Sequence, residues 1–304
     1  MRAVLSTVRA VRASAKFIVR HPLNREHPFA ALAAYARWHV GCRLLHGAVA
    51  VPFVEQTRLL VEQGMAGATA NIFCGLQEFE DMGVVLHALR PGDLFVDIGA
   101  NVGSYTVLAA GACGASVVAV EPVPSTYGQL LDNIRLNNLE SLVIAENIGL
   151  AAAPGQLRFS ARLGTMSHVL AAGKQEADAI DVPVRTLDDV LQDRRPTFIK
   201  IDVEGYEAEI LKGARRALRS DTLLAVVMEL NGSGARYGVD ELRLHTDMLD
   251  DGFTPCRYDP LTRALLPLVS RTPACGNTLY VRDVPALSAL VQSAPKRVVH
   301  GQRL

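Results

Sequence analysis

Short apolar runs alternate with amphipathic segments along the middle of the chain, from Leu94 to about Asp283. The runs have the length of strands, and the segments between them have the spacing of helices. We predict strands in LFVDIG, SVVAVE, SLVIAEN, TFIKID, LLAVVMEL and NTLYVRD, extra strands in QLRFS and AIDVPV, and helices at 102–112, 125–138, 206–218 and 239–251. Continuous apolar strands separated by helices indicate a parallel sheet covered on both faces. The predicted fold class is therefore α/β, with a doubly wound sheet.

The two ends of the chain have a different pattern. Residues 28–90 are rich in alanine and leucine and look mainly helical, and the stretch after Asp283 reads as a short helix and a basic tail. We therefore divide the chain into a mainly helical N-terminal segment (1–85), the α/β domain (86–284), and a C-terminal helix and tail (285–304).

Residues 1–20 combine an apolar stripe with positive charge. The stripe has helical spacing and consists of Val4, Val8, Val11, Ala15 and Ile18. The basic residues are Arg2, Arg9, Arg12, Lys16 and Arg20, and no acid precedes Glu26. This pattern is typical of a helix lying on an anionic membrane surface. It equally fits a helix packed on the α/β domain, and both interpretations stay open.

Composition narrows the function classes. Of the 304 residues, 49% are hydrophobic and 20% charged, which excludes global disorder. The formal net charge is zero, which argues against a dedicated nucleic-acid binder. The five cysteines are odd in number and form no C-x-x-C pair, so we expect a reduced, cytoplasmic protein. We find no secretory signal and no apolar run near the roughly 18 residues of a membrane span.

The segment DIGANVG, which begins at Asp97, connects the end of the first predicted strand to the helix that follows it. Gly99 and Gly103 allow a sharp turn and close approach to a ligand, and ligands of such sheets bind at this turn. The segment lacks the G-x-G-x-x-G of dinucleotide sites, and Asp97 would repel a pyrophosphate. It suits an ammonium group or a ribose, and Glu121, which ends the next strand, could accept ribose hydroxyls. Together these features fit S-adenosylmethionine; an ordinary turn with a surface acid is the alternative.

Four segments carry a family resemblance: FVDIGANVGSYT, VVAVEPVPSTYGQLLDNIRLNN, VRTLDDVL and FIKIDVEGYEAEILKGARRAL. Over roughly residues 71–283 the chain resembles the FkbM-type methyltransferases. The resemblance implies a Rossmann-like class I methyltransferase sheet and S-adenosylmethionine-dependent O-methylation of a sugar, glycan or other small-molecule hydroxyl. It also implies cofactor-binding roles for Asp97, Gly99, Asn101 and Gly103 at the methionine part, for Glu121 and Pro122 at the ribose, and for Glu146 or Asn147 near the adenine.

Three charged residues close the fourth main strand: Lys200, Asp202 and Glu204. Residues two apart on a strand share a face, and a charge trio in an apolar strand is costly unless it is paired or functional. A neutral hydroxyl is a poor nucleophile, so we expect Asp202 or Glu204 to assist its deprotonation. An internal ion pair of Lys200 with either acid is the structural alternative.

Magnesium is a second catalytic option. Asp202, Glu229 and Asn231 end two neighbouring strands and could form an oxygen-rich Mg²⁺ site. Direct base catalysis is favoured, because the resemblance requires no metal, and we assign no metal ligand.

Three further residues are weaker candidates. His168 could act as a base or substrate ligand, and Glu78 and Asp81 could cap a helix or close over the cofactor. At the level of the whole protein, the rival hypothesis is an inactive S-adenosylmethionine-binding partner.

Overall fold

The computed structural model describes residues 2–44, 47–160, 168–170, 178–272 and 276–304. Its α-helices are α1 (Arg2–Arg20), α2 (Pro28–Leu44), α3 (Ala66–Cys74), α4 (Phe79–Ala88), α5 (Ser104–Val107), α6 (Pro124–Leu136), α7 (Leu187–Leu191), α8 (Glu207–Lys212), α9 (Arg215–Leu218), α10 (Glu241–Asp250) and α11 (Val284–Gln292). Its strands are β1 (Val49–Pro52), β2 (Arg58–Val61), β3 (Leu94–Ile98), β4 (Ser116–Val120), β5 (Val143–Glu146), β6 (Gly149–Leu150), β7 (Gly155–Ser160), β8 (Ala179–Arg185), β9 (Phe198–Ile201), β10 (Ala225–Glu229), β11 (Thr254–Asp259), β12 (Ala264–Pro267), β13 (Asn277–Val281), β14 (Val298–Val299) and β15 (Gln302–Arg303).

An eight-stranded sheet forms the centre of the molecule, in the order β12-β11-β13-β10-β9-β3-β4-β5. The strands β10, β9, β3, β4 and β5 are parallel, and β13 runs antiparallel beside β10. The chain leaves β3 towards β4 on one side and returns to β9 on the other, so the strand order reverses there. Ligands of such sheets bind beyond the carboxyl ends of the strands at this point. The doubly wound α/β prediction is confirmed.

Alternating side chains of the parallel strands fill two cores. Phe95 and Phe198 point to the face covered by α4, α5, α6 and α11, whereas Val96 and Ile199 point to the face covered by α8, α9 and α10. All four side chains are fully buried. Burial on both faces explains why these strands read as continuous apolar runs.

The predicted helix at 206–218 is two short helices, α8 and α9, and the one at 102–112 is α5 continued by a π-helical turn, Leu108–Ala112. The extra strands β7 and β8 pair with β6 in a separate three-stranded sheet.

Helix α1 packs on the chain through its C-terminal end. Ile18 is buried against Ala31, Phe73 and Cys74, and Asn24 fixes the following turn by donating to the carbonyl of Ile18 at 2.8 Å. Among the described residues, none of the helices combines the length and apolar character needed to cross a membrane.

Each end of the chain also contains a short hairpin that the sequence pattern did not predict. The mainly helical front segment contains a β1–β2 hairpin, in which Leu59 and Val61 are buried. The basic tail folds back as a β14–β15 hairpin, in which Val299 is buried. In both hairpins, apolar side chains enter the core that lies under α4 and α11, so burial overrides local propensity.

Candidate active site

The turn after β3 has backbone angles that favour glycine. Gly99 and Gly103 have φ of 76° and 90°, and Asn101 between them has φ of 53°. Asn101 Oδ1 accepts a hydrogen bond from the Val102 amide at 2.7 Å, which stabilises this left-handed residue. A Cβ atom at Gly99 would overlap the carbonyl oxygen of Asp202. Glycine therefore brings the turn directly against the end of β9.

Glu121 joins this turn to the end of β4. Its Oε2 accepts from the Asn101 amide and its Oε1 from the Val123 amide, both at 2.9 Å. Burial raises the pKa of Glu121 to about 7, although the two amides oppose the shift. Each oxygen retains a second lone pair, so the carboxylate is able to accept two further hydrogen bonds, as a ribose would require.

Asn147 fixes the turn after β4 from the neighbouring strand. Its Nδ2 donates to the carbonyls of Glu121 and Pro122 at 2.8 and 3.1 Å. Both donor hydrogens of the amide are thus used on backbone, and Oδ1 is the group of Asn147 that remains for a ligand. The structure therefore brings Asn147 and Pro122 together with Glu121, as the sequence predicts; contact with the adenine stays a prediction.

Asp97 lies beneath the glycine turn and is fully buried. Its Oδ2 accepts from Thr106 Oγ1 at 2.7 Å, and its Oδ1 has no donor among the described residues. Asp97 stands directly opposite Lys200 in the β3–β9 register, so the two side chains share a sheet face. Burial raises the pKa of Asp97, and the charge of Lys200 opposes this. Asp97 therefore holds Thr106 in the helix that follows the turn and retains one oxygen without a donor among the described residues.

Lys200 forms a buried ion pair with Asp202. The Nζ–Oδ2 distance is 2.8 Å, and the Lys200 side chain is 4% exposed against 28% for Asp202. Burial by itself would lower the pKa of Lys200, but the neighbouring carboxylates outweigh it and the net pKa is raised. The ion pair considered as the structural alternative is thus formed, and it leaves Asp202 Oδ1 outside the pair at the edge of the sheet.

Glu204 does not share the strand face of Lys200 and Asp202, and this expectation is corrected. Strand β9 ends at Ile201, and Glu204 has φ of 57° in a turn. The turn is required because Gly205 packs against the backbone of Ser233, where a Cβ would approach to 2.6 Å. Glu204 is half-buried, and burial together with Asp202 raises its pKa, opposed by Arg236 and His168. His168 therefore lies near Glu204.

Two acids from the start of α4 reach the same edge of the sheet. Glu78 gives no side-chain cap to α4; it accepts instead from Tyr105 Oη at 2.5 Å. Asp81 accepts from Asn277 Nδ2 at 2.9 Å. Burial raises the pKa of Glu78, and it raises that of Asp81 to about 7. Neither acid caps the helix, and both belong to the site.

Glu229 completes this group at the end of β10. Its Oε2 is buried without a donor among the described residues. Burial, followed by the charge of Asp202, raises the pKa of Glu229 well above its usual range. We call Glu78, Asp81, Asp202 and Glu229 the acid cluster. Its members lie at the start of α4, directly after β9 and at the end of β10, and the charge of Asp202 contributes to the raised pKa of both Glu78 and Glu229.

The possible magnesium site would consist of Asp202, Glu229 and Asn231, but Asn231 has a structural role in its own turn. Asn231 Oδ1 accepts from the Ser233 amide at 2.9 Å and so stabilises its own turn. Within the part of the chain that the structure describes, no three histidine, cysteine, aspartate or glutamate side chains are grouped so as to hold a metal ion.

Tyr105, Thr106 and Asn277 are site residues that sequence reasoning missed. Tyr105 also lies under Lys200, with Nζ 4.8 Å from the ring centroid. The segment SYT follows the glycine turn, and a helix that begins there must direct its first residues at the sheet edge. Their position directly after the turn could have identified Tyr105 and Thr106 as site residues. No feature of the sequence around Asn277 indicates that it belongs to the site.

A family model described as the methyltransferase FkbM domain matches residues 97–251. The chain is similar to the hexuronic acid methyltransferase AglP of Haloferax volcanii, with 26% identity over 155 residues, covering 47% of this chain and 59% of that protein. It is also similar to methyltransferase sdnD of Sordaria araneosa, with 30% identity over 188 residues, covering 51% of this chain and 73% of that protein. The match to AglP thus spans less than two thirds of that protein's length.

Among solved structures, the chain is similar to a methyltransferase FkbM from Methylobacillus flagellatus. The TM-score is 0.43 and the identity 22%, and the match covers 62% of this chain and 43% of the other.

Proposed function

Because the chain belongs to the FkbM methyltransferase family, we propose that it transfers a methyl group from S-adenosylmethionine to a hydroxyl of a sugar, glycan or other small molecule. The glycine turn and Glu121 form the cofactor site in this proposal, and the acid cluster receives the acceptor. The proposal covers the α/β domain at 86–284, which includes every strand of the eight-stranded sheet.

One observation carries the proposal: the glycine turn and the acid cluster meet at the point where the strand order reverses. Gly99 lies against the backbone of Asp202, so a ligand on the turn and a ligand on Asp202 would be neighbours. Methyl transfer by in-line displacement requires this kind of juxtaposition, since its main demand is positioning.

S-adenosylmethionine fits the residues of the turn in two ways. Glu121 presents two carboxylate oxygens with spare lone pairs, and Asp97 Oδ1 is a buried acceptor without a donor. When bound, the cofactor would supply an electrophilic methyl group, and the C–S bonding electrons would remain on its sulfur when that group is transferred. Asp97, Gly99, Asn101 and Gly103 would hold the methionine part, with Glu121, Pro122 and Asn147 at the nucleoside.

Asp202 is the residue that we assign as the general base. Lys200 engages its Oδ2, which fixes the carboxylate and leaves Oδ1 to accept the proton of the acceptor hydroxyl. Glu229 is hydrogen-bonded to the Asp202 side chain, and Glu229 is the donor in this bond because its raised pKa keeps it protonated near neutral pH. Lys200 is thus a positioning residue, and Glu204 remains the alternative base beside His168.

A sugar is the acceptor class that we favour, since the relative from Haloferax volcanii is named a hexuronic acid methyltransferase. Transfer of the methyl group to oxygen is consistent with Asp202 as the base, because a carboxylate is able to accept the proton of a hydroxyl group.

Three further statements stay predictions: that the protein is cytoplasmic, that it has no nucleic-acid partner, and that residues 1–20 contact anionic lipid. The Ile18 end of the apolar stripe is already buried within the protein, so lipid contact would involve the part of the stripe before it, where Val11 is 47% exposed.

The cofactor assignment predicts that Glu121→Gln weakens binding of S-adenosylhomocysteine by about 1–3 kcal/mol, the usual cost of leaving a buried hydrogen-bonding partner unsatisfied. The amide can replace one acceptor oxygen but presents a donor at the other. Calorimetric titration of the folded variant measures this change. Glu140→Gln, an exposed acid in the loop after α6, is the control and should bind normally. Unchanged affinity in Glu121→Gln would contradict the assignment.

A further inference from the structure

A cavity of about 1060 Å³ lies between α1 and the acid cluster. One wall is the C-terminal half of α1, with Lys16, Phe17 and Arg20, and the opposite wall holds Glu78, Asp81, Glu229 and Asn277. The volume suits a ligand of one or two sugar units. The cavity therefore joins the N-terminal helix, which lies outside the matched family region, to three of the four residues of the acid cluster.

Lys16 and Arg20 are cations available to a ligand. They are one helical turn apart, so they lie on the same face of α1, and both are exposed. No acid forms an ion pair with either one among the described residues. Arg257, a third cation on the cavity wall, is by contrast committed to Glu80, which accepts from its Nε at 3.0 Å and from its Nη2 at 2.6 Å.

The acid wall does not cancel this positive charge. Burial raises the pKa of Asp81 to about 7 and that of Glu229 above its usual range. Both acids are therefore partly or wholly neutral near pH 7, and act as hydrogen-bonding groups for hydroxyls. Glu229 Oε2, buried without a donor among the described residues, is one such unsatisfied position.

We infer that this cavity is the acceptor site, and that Lys16 and Arg20 select an acceptor carrying a carboxylate or phosphate beside the hydroxyl presented to the acid cluster. The inference rests on the proposed function and narrows its substrate class to anionic sugars. A neutral sugar would gain the contacts with the acids but would leave the two cations without a partner, so it should bind more weakly.

The test compares three probes that differ in one group: methyl glucoside, methyl glucuronide and methyl glucoside 6-phosphate. Binding of each to the full-length protein, saturated with S-adenosylhomocysteine, is measured by ligand-detected NMR titration. The protein variants are Lys16→Gln/Arg20→Gln and the control Arg9→Gln/Arg12→Gln, which removes the same charge from residues of α1 outside the cavity.

We expect an anionic probe to bind the wild type about tenfold or more tightly than the glucoside, because hydrogen bonds to charged groups are strong. The better of the two anions identifies carboxylate or phosphate. Lys16→Gln/Arg20→Gln should remove the preference, and the control should retain it. Equal binding of all three probes, no detectable binding of either anion, or an equal loss in the control variant would overturn the inference.

Failure of the inference is distinguishable from failure of the proposed function. Normal binding of S-adenosylhomocysteine without anion preference rejects the acceptor class and leaves the methyltransferase proposal in place. Lysine- and arginine-dependent anion binding by a protein that binds no S-adenosylhomocysteine rejects the proposed function.

Discussion

Replacing Asp202 with asparagine is expected to lower kcat for methyl transfer by about 10²–10⁴, the usual contribution of a general base. The amide oxygen can still accept from Lys200, so the fold and the cofactor site should persist. The loss arises because the amide cannot take the proton of the acceptor hydroxyl. Steady-state kinetics at saturating S-adenosylmethionine measures the effect, and calorimetry with S-adenosylhomocysteine checks that cofactor affinity stays near normal.

Glu204→Gln is the matched comparison for this prediction. Glu204 carries the same functional group two residues away, in a turn rather than at the ion pair with Lys200. A full kcat in Asp202→Asn and a large loss in Glu204→Gln would transfer the role of base to Glu204. Activity abolished by EDTA and restored by magnesium would replace direct base catalysis by the metal-assisted mechanism.

Lys200→Met is expected to lower the free energy of unfolding by about 3–5 kcal/mol, because removing one partner of a buried ion pair leaves an uncompensated charge. Lys200 is 4% exposed and serves two acids, Asp202 through a direct bond and Asp97 across the strand pair. Methionine has a similar length and avoids a cavity. Urea denaturation at neutral pH measures the change.

Lys212→Met provides the control for the loss of a lysine from an ion pair. Lys212 pairs with Glu209 on α8, but its side chain is 58% exposed, and such surface pairs contribute at most about 1 kcal/mol. The second variant, Lys200→Met/Asp97→Asn, should recover part of the stability because it removes a buried carboxylate that has lost its neighbouring cation. Equal, small losses for Lys200→Met and Lys212→Met would contradict the buried-pair account.

The central sheet could be predicted because its strands are buried on both faces. Runs such as the one that contains Phe95 and Val96 must be apolar throughout, and this pattern is unusual outside parallel sheets. The glycine turn and Glu121 were also predictable, since they follow directly from the ends of two such strands. Strand β11 was missed: its sequence TPCRYD has mixed polarity, and it pairs only near the sheet edge.

The edge of the sheet that holds the acid cluster was only partly predictable, because its contacts join residues that are distant in sequence. Tyr105 and Glu78 are 27 residues apart, and Asn277 and Asp81 are 196 apart. No local pattern records such pairs. Glu204 was misplaced for a different reason: a left-handed turn ends the strand alternation after Ile201, and charge spacing does not reveal it.

The division at residues 85 and 284 stays a prediction, and the packing across both boundaries is extensive. Leu59 from β2, Leu287 from α11 and Val299 from β14 belong to the same buried cluster as the sheet. The segments on either side of the α/β domain carry apolar residues that become buried only when they pack against the folded sheet. Their contribution to the core could not be read from their own composition.

Transfer of label from methyl-labelled S-adenosylmethionine to sugar acceptors is the most direct test of the account. The full-length protein is incubated with neutral and acidic methyl glycosides, and the products are analysed by mass spectrometry for one added methyl group and by NMR for its attachment to oxygen. We predict a methyl ether on an acceptor hydroxyl, formed by the wild type and strongly reduced in Asp202→Asn. Binding of S-adenosylhomocysteine without methylation of any acceptor, or label found on nitrogen or carbon, would contradict it.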